Sequence, residues 1–299
     1  MPPYGGSPQS RTNGADLPHQ NSRVVAITGT SSGIGLATAV AAARAGWTTV
    51  ATLRNPDRAD TLRAAASAAG VEIDVRRLDV TDAEACSACL SEVVSEYGRL
   101  DAVVNNAGAA FLGTVETADL ETFRACLEVN FFGVVHVSRA ALPYLRASNG
   151  RLLTVSSVGG VVGQPFNEAY CAAKFAVEGF LQALAPVAAT VGVSVGVVEP
   201  GAVASEFVTN LGLDVDTLLA DAGPYTPALQ AYLDRTLNQF SNAAQSAEDV
   251  ADVLVGCLGI EQLPFRTQTS DGARSFVGLS LADVDGSGVL DQTSGWVTG

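Results

Sequence analysis

The chain is short of positive charge and almost without lysine. Among 299 residues, 17 are basic and 31 acidic, giving a net charge of -14 at pH 7 and a pI near 4.4. Such a balance excludes nucleic acid and anionic membranes as partners, because binding by counterion release needs a basic face. Histidine occurs only at 19 and 136, and the five cysteines at 86, 89, 126, 171 and 257 form an odd set. An odd number without a signal-like segment points to reduced thiols in a cytoplasm and away from a disulfide framework. Cys86-Ser-Ala-Cys89 has the spacing of half a zinc knuckle, but no second pair follows. It reads as two small apolar residues on one helix face, and no metal is expected. No apolar run approaches the roughly 20 residues of a membrane span, so a soluble protein is expected. Residues 1–22 are rich in Pro, Gly, Ser and Asn and lack an apolar centre, which suits a flexible tail and not a secretory signal.

What is abundant is apolar sequence in a regular alternation. Hydrophobic residues make up 47% of the chain and the mean hydropathy is +0.25. From residue 23 onward, short β-branched runs (24–27, 48–53, 71–78, 102–104, 151–155, 193–198) alternate with Ala-rich stretches of helical period (34–45, 58–69, 82–97, 120–145 and the stretch around Tyr170). Apolar strands joined by helices of ten or more residues specify right-handed βαβ units and a parallel sheet covered on both faces. The expected fold is α/β: a doubly wound parallel sheet of Rossmann type, one domain over 23–299. Residues 206–242 are expected to form a helical substrate lid carrying Phe207, Leu211, Leu213, Leu218, Leu219, Tyr225, Tyr232, Leu233 and Phe240. Ser246-Ala-Glu-Asp249 has the pattern of a capping box opening the next helix. Asp283-Val-Asp285-Gly-Ser287 begins like a calcium loop, but its twelfth position is Ser294 instead of a bidentate Glu, so it reads as a polar turn.

The first run ends in Thr28-Gly29-Thr-Ser-Ser-Gly33-Ile-Gly35. The spacing G-x-x-x-G-x-G differs from the G-x-G-x-x-G fingerprint, but the physics is shared. Glycine lets backbone approach a pyrophosphate, which then sits on the amides and positive dipole of a helix N-terminus. Between a strand and a helix this turn predicts dinucleotide binding. The choice of dinucleotide is read at the end of the second strand, where an acid would take a ribose 2′-hydroxyl. Here the chain reads Thr52-Leu-Arg54-Asn55, with no carboxylate before Asp57. The fork of Arg54 is placed to pair with a 2′-phosphate, so NADP(H) is expected over NAD(H).

The single lysine, Lys174, follows Tyr170 by four residues within Tyr170-Cys-Ala-Ala-Lys174. On a helix the two side chains are neighbours on one face. A phenol with a reference pKa near ~10 is about 0.1% ionised at pH 7, and an ammonium about 4 Å away at an effective dielectric of ~20 favours the phenolate by roughly 4 kcal/mol, or ~3 pKa units. That would bring Tyr170 toward the working range of a general acid/base.

Taken together, Thr28-Gly29-Thr-Ser-Ser-Gly33-Ile-Gly35, Asn105-Asn106-Ala107-Gly108, Asn130, Ser157, Tyr170, Lys174 and the Pro200-Gly201 turn resemble the short-chain dehydrogenase/reductase family in order and spacing, over nearly all of 23–299. The stretch from Gln164 to Gly179 is similar to the branch of that family holding estradiol 17-beta-dehydrogenase type 1 and retinol dehydrogenases. The resemblance implies that Asn130, Ser157, Tyr170 and Lys174 are catalytic. It selects Ser157 over Ser156, 13 residues before the tyrosine, to hold a substrate oxygen. Tyr170 gives or takes a proton as hydride moves, Lys174 lowers the phenol pKa and holds the nicotinamide ribose, and Asn130 fixes a water that relays protons to the lysine. It also implies a cofactor set of Gly29, Ser31, Gly33, Ile34, Gly35, Arg54, Asp79, Val80, Asn106, Ala107, Gly108, Tyr170, Lys174, Pro200, Gly201, Val203 and Ser205. Asp79 and Val80 would flank the adenine and Ser205 the carboxamide, with Ser in place of the more frequent Thr.

The expected activity is NADP(H)-dependent interconversion of a hydrophobic ketone or aldehyde and its alcohol, in a homodimer or homotetramer. Two alternatives are a 3-oxoacyl carrier-protein reductase, which the acidic charge disfavours, and a non-catalytic NADP(H)-binding sensor or scaffold, which the intact Ser157, Tyr170 and Lys174 disfavour. With no histidine after His136, recognition of a distal substrate oxygen would fall to Tyr225, Gln230, Tyr232 or Asn238.

Overall fold

All five residues of β1 (Val24–Thr28) are buried, and they face two different cores. Val24 and Ala26 pack into one apolar cluster, whereas Val25 and Ile27 pack into another. Side chains alternate across a strand, so a continuous β-branched run can be buried only with a layer on each face of the sheet. The computed structural model describes residues 22–204 and 215–298.

The sheet is built from β1, β2 (Thr48–Leu53), β3 (Asp74–Arg77), β4 (Ala102–Asn105), β5 (Arg151–Val155), β6 (Ser194–Glu199) and a later strand, Arg266–Gln268, which is β9 in chain order. All pairings are parallel and the order is β3-β2-β1-β4-β5-β6-β9. A two-residue pair, β7 (Val203–Ala204) with β8 (Gln245–Ser246), ties the chain after β6 to the start of a late helix. One face is covered by α3 (Ala83–Tyr97), α5 (Gly133–Ser148) and α6 (Glu168–Ala189). The other is covered by α1 (Gly33–Arg44), α2 (Asp60–Ala69) and α9 (Ala247–Gly259). Between them in sequence lie α4 (Leu120–Leu127), α7 (Val215–Asp221) and α8 (Thr226–Ala243), and the chain closes with α10 (Asp271–Ala282) and α11 (Ser287–Ser294). This is a doubly wound Rossmann sheet, and its order reverses between β1 and β4, where such sheets open a ligand crevice at the strand C-termini.

The structure moves several expected boundaries. The strand expected over 71–78 is only Asp74–Arg77, because the amides of Gly70 and Val71 turn back to Ser67 and Ala66 and close α2 with a left-handed cap. The helix expected from residue 58 starts at Asp60, after a 3-10 turn at Pro56–Arg58 capped by the Asn55 side chain. The single helix expected over 120–145 is interrupted by a π turn at Glu128–Phe132 and runs on to Ser148. β9 was not expected from the pattern, since Arg266-Thr-Gln268 is polar and only partly buried. The absence of a bilayer-length apolar run also needs correction. Leu120–Ser148 and Glu168–Ala189 reach that length with a mean hydropathy of 1.2 over 18 residues, but both pack one side into the core beside the sheet.

The capping box at α9 forms with both bonds, the Ser246 hydroxyl accepting from the Asp249 amide and the Asp249 carboxylate from the Ser246 amide. Cys86 and Cys89 are buried in the core behind α3. Asp283 and Asp285 spend their carboxylates on the Val289 amide and on the Ser287 amide and hydroxyl, capping α11 as a polar turn does.

Candidate active site

Gly29 folds the first turn. It has φ +70, and a Cβ built there would stand 2.7 Å from the Ala107 Cα, so only glycine lets the turn after β1 touch the segment after β4. Asn106 fastens the two, donating from its amide to the carbonyls of Thr28 and Gly29, both at 2.9 Å. The Thr28 hydroxyl accepts from the amides of Asn106 and Ala107, both at 3.0 Å. Ser31, Gly33, Ile34 and Gly35 follow into α1, whose N-cap Ser32 makes no side-chain bond to the first-turn amides and whose first turn holds no acid. Helix amides left without a side-chain cap, reached over glycine, fit a pyrophosphate. Gly29, Asn106 and Ala107 of the expected dinucleotide set therefore meet at the start of α1.

The residues expected at the adenine end follow β2 and β3. Arg54 is exposed at the end of β2, and neither it nor the exposed Arg58 has a carboxylate partner among the described residues. Asp79 turns its carboxylate onto the Thr81 amide and hydroxyl, and Val80 is buried with its carbonyl 3.1 Å from His136 Nδ1. At the opposite end, the Pro200 carbonyl accepts from the Val158 amide at 3.0 Å, Gly201 lies against α10 near Ala273, and Val203 is in β7. Ser205 lies outside the described residues, as do Phe207, Leu211 and Leu213.

The four expected catalytic residues converge. Ser157 follows β5, its hydroxyl accepts from the Gly159 amide at 3.0 Å, and a Cβ built at Gly159 would lie 3.4 Å from both that hydroxyl and the Tyr170 ring. Lys174 is 5% exposed; its ammonium donates to the Val155 carbonyl at 3.0 Å and lies 5.7 Å from the centre of the Tyr170 ring. Gly108 stands between Asn130 and Lys174, so close that a Cβ there would be 2.9 Å from Asn130 Oδ1 and 3.9 Å from Lys174 Nζ. Tyr170 itself packs with Phe111, Phe123, Leu127, Cys126, Ala169 and Ala173.

Two details differ from the sequence reading. Burial pushes the Tyr170 phenol up, well above its usual range, and the hydrogen bond from Ser157 is what pulls it down. Lys174 donates its ammonium to Val155, and burial depresses it to about 8. Asn130, in turn, has its side chain filled by protein. Its amide group donates to the carbonyls of Ala109 at 2.8 Å and Cys126 at 2.9 Å, and its oxygen accepts from the Ala109 amide at 3.3 Å. The side chain thus fixes the segment after β4 to the π turn.

A cleft of about 170 Å³ opens beside this cluster, lined by Phe111, Leu112, Thr114, Phe166, Leu218 and Leu229. The lid helices supply its outer wall, with Leu218, Leu219, Tyr232 and Leu233 packing around Phe166 and Trp296. None of the four polar lid residues expected at a distal substrate oxygen lines this cleft. The Tyr225 hydroxyl bonds Glu116, the Tyr232 hydroxyl accepts from Asn167 at 2.7 Å, and Gln230 and Asn238 line a separate groove. The sequence reading also missed Thr28, whose hydroxyl organises the crevice, although it opens the glycine motif. Glu178 was missed as well; a buried acid four residues after Lys174 was the available signal.

The sequence matches the short chain dehydrogenase family model over residues 23–216. It is 38% identical over 288 residues to retinol dehydrogenase 8 of Bos taurus, covering 91% of this chain and 88% of that protein. It is 34% identical over 272 residues to human 17-beta-hydroxysteroid dehydrogenase type 1, covering 88% and 82%. Among solved structures, a short-chain dehydrogenase from Streptomyces avermitilis superposes with a TM-score of 0.72 at 29% identity, covering 92% of this chain and 96% of the other. With the glycine turn, the Asn106 tie and the Ser157, Tyr170 and Lys174 cluster in one crevice, the chain belongs to the short-chain dehydrogenase family, an oxidoreductase acting on alcohol and carbonyl groups.

Proposed function

We propose that the protein interconverts a hydrophobic ketone or aldehyde and its alcohol with NADP(H), Tyr170 serving as general acid/base. The observation that carries this reading is the meeting of Ser157, Tyr170 and the buried Lys174, whose ammonium lies 5.7 Å from the centre of the Tyr170 ring, beside the glycine turn after β1. The nicotinamide would supply or accept hydride at the substrate carbon. In reduction, Ser157 orients the carbonyl oxygen and Tyr170 transfers its proton to that oxygen, leaving a phenolate that is reprotonated for the next turnover. A phenol raised by burial is fully protonated at neutral pH, which suits the acid role. Ser157, and Lys174 once its ammonium is drawn toward a phenolate, would stabilise the charge that forms.

NADP(H) is supported by Arg54 and Arg58, exposed at the end of β2 without carboxylate partners among the described residues. An apolar substrate is supported by the aromatic and aliphatic cleft and by relatives named as retinol and hydroxysteroid dehydrogenases. Exposed Phe132, Phe175 and Val187 near and on α5 and α6 favour assembly as a homodimer or homotetramer. The test is NADPH oxidation against ketosteroids, retinal, aliphatic ketones and 3-oxoacyl thioesters, with NADH as control and light scattering for the oligomer. Turnover is expected with an apolar ketone or aldehyde and NADPH. Faster turnover with NADH would overturn the role of Arg54, and a preference for the thioester would overturn the substrate class.

A further inference from the structure

Four side chains of the Asp, Glu, Lys and Arg types are almost wholly buried among the described residues: Asp101, Lys174, Glu178 and Glu199. Asp101 is answered by Arg99 through two hydrogen bonds of 2.8 and 2.6 Å. The other three belong together. Arg266 on β9 reaches under α6 and donates at 2.6 Å to Glu178 and at 2.6 Å to Glu199, the last residue of β6. Gln268 satisfies the other Glu199 oxygen at 2.7 Å. One guanidinium thus faces two carboxylates, and when both are ionised the group carries one negative charge more than it neutralises. A buried excess charge is costly unless another charge answers it.

The remaining cation is Lys174, one helical turn before Glu178 on the same face of α6, and the carboxylate acts on it to favour the ammonium. With Lys174 included the cluster holds two acids and two bases and is neutral. Ser156 lies beside this cluster with its hydroxyl buried, and neither that hydroxyl nor Glu178 Oε1 has a hydrogen-bond partner among the described residues. Gly160 closes the site: a Cβ there would lie 2.6 Å from the Ser156 hydroxyl and 2.9 Å from the Glu178 Cγ.

We propose that Glu178 is the buried counter-charge of the catalytic lysine, a positioning residue held by Arg266 that keeps Lys174 protonated while it serves Tyr170. This rests on the proposed roles of Tyr170 and Lys174. The groups facing Lys174 and Glu178 are Tyr170 and Cys171 on α6, Cys126 on α4, Ser156 after β5, Glu199 on β6 and Arg266 on β9. Glu199 opposes ionisation of Glu178 and Arg266 favours it, so the two carboxylates have opposite effects on the lysine. Glu178 supplies negative charge to Lys174 from one helical turn away; Glu199 withholds it by keeping Glu178 protonated.

The pH profile of carbonyl reduction separates this from a structural role. Activity requires the ammonium and falls as pH rises past its pKa. In Glu178→Gln, which preserves the shape and the bonds to Arg266, this alkaline limb should move down by about one pH unit, with the KM for NADPH changing less than kcat. In Glu199→Gln the limb should move up, because Glu178 then ionises more readily. A merely structural role would lower the melting temperature in both variants and leave the limb in place, which would overturn the proposal, as would a downward shift in Glu199→Gln. Glu199→Gln alone decides the sign if Glu178→Gln does not fold. Tyr170→Phe is run alongside. If that variant stays active, the underlying Tyr170 reading fails, whereas an inactive Tyr170→Phe with an unmoved Glu178→Gln limb refutes only the counter-charge.

Discussion

Single side chains in this protein act through what their neighbours leave them to do. Tyr170 and Lys174 stood out in the sequence because the lysine is unique and four residues away. Their spacing was legible, but their charge states were not, since burial acts on both and a sequence does not show how dry a helix face will be. Asn130 shows the same limit. Its place before the helix bearing Tyr170 was readable, while its bonds depend on a π turn that brings Ala109 and Cys126 within reach. Asn130→Ala should leave the Ala109 amide and carbonyl unpaired in a buried site, costing about 1–3 kcal/mol. For a chain of this size that corresponds to a fall in melting temperature of roughly 2–4 °C per kcal/mol, measurable by calorimetry. An unchanged melting temperature would show that water replaces the side chain without loss.

Elements that are buried on both faces were the easiest to foresee. β2 was expected over 48–53 and is Thr48–Leu53, and β1, β5 and β6 fall within one or two residues of expectation. β9 was invisible because Arg266 and Gln268 are in the strand for their bonds to Glu178 and Glu199, not for apolar burial. The turn from β1 into α1 was legible through its glycines, and the structure adds the reason: it is pressed against Ala107. Gly29→Ala would force a side chain into left-handed backbone and into that contact, costing on the order of 1–2 kcal/mol from conformation alone. NADPH affinity, followed by fluorescence titration, should therefore fall by about tenfold or more. Affinity within twofold of the wild type would mean that the turn can open away from β4 without disturbing the cofactor.

At the scale of the whole molecule, the sheet order brings together residues far apart in sequence. Gly29 after β1, Asn106 after β4, Ser157 after β5 and Pro200 after β6 all emerge at strand C-termini on one edge, around the point where the order reverses. Right-handed crossovers made that convergence deducible from the alternation of strands and helices. The lid was less legible, because its apolar residues serve both as cleft wall and as packing for Phe166 and Trp296, and a list of side chains does not separate the two.

The central claim is that this scaffold exists to bring a proton on Tyr170 to a substrate oxygen beside a dinucleotide. Tyr170→Phe removes one hydroxyl and keeps the ring in its contacts with Phe111, Ala169 and Ala173. Single-turnover reduction of the best ketone, with NADPH binding and melting temperature measured on the same sample, tests it directly. The account predicts native binding and melting with the rate reduced by about 10²–10⁴; wild-type turnover in a folded, NADPH-binding variant would contradict it.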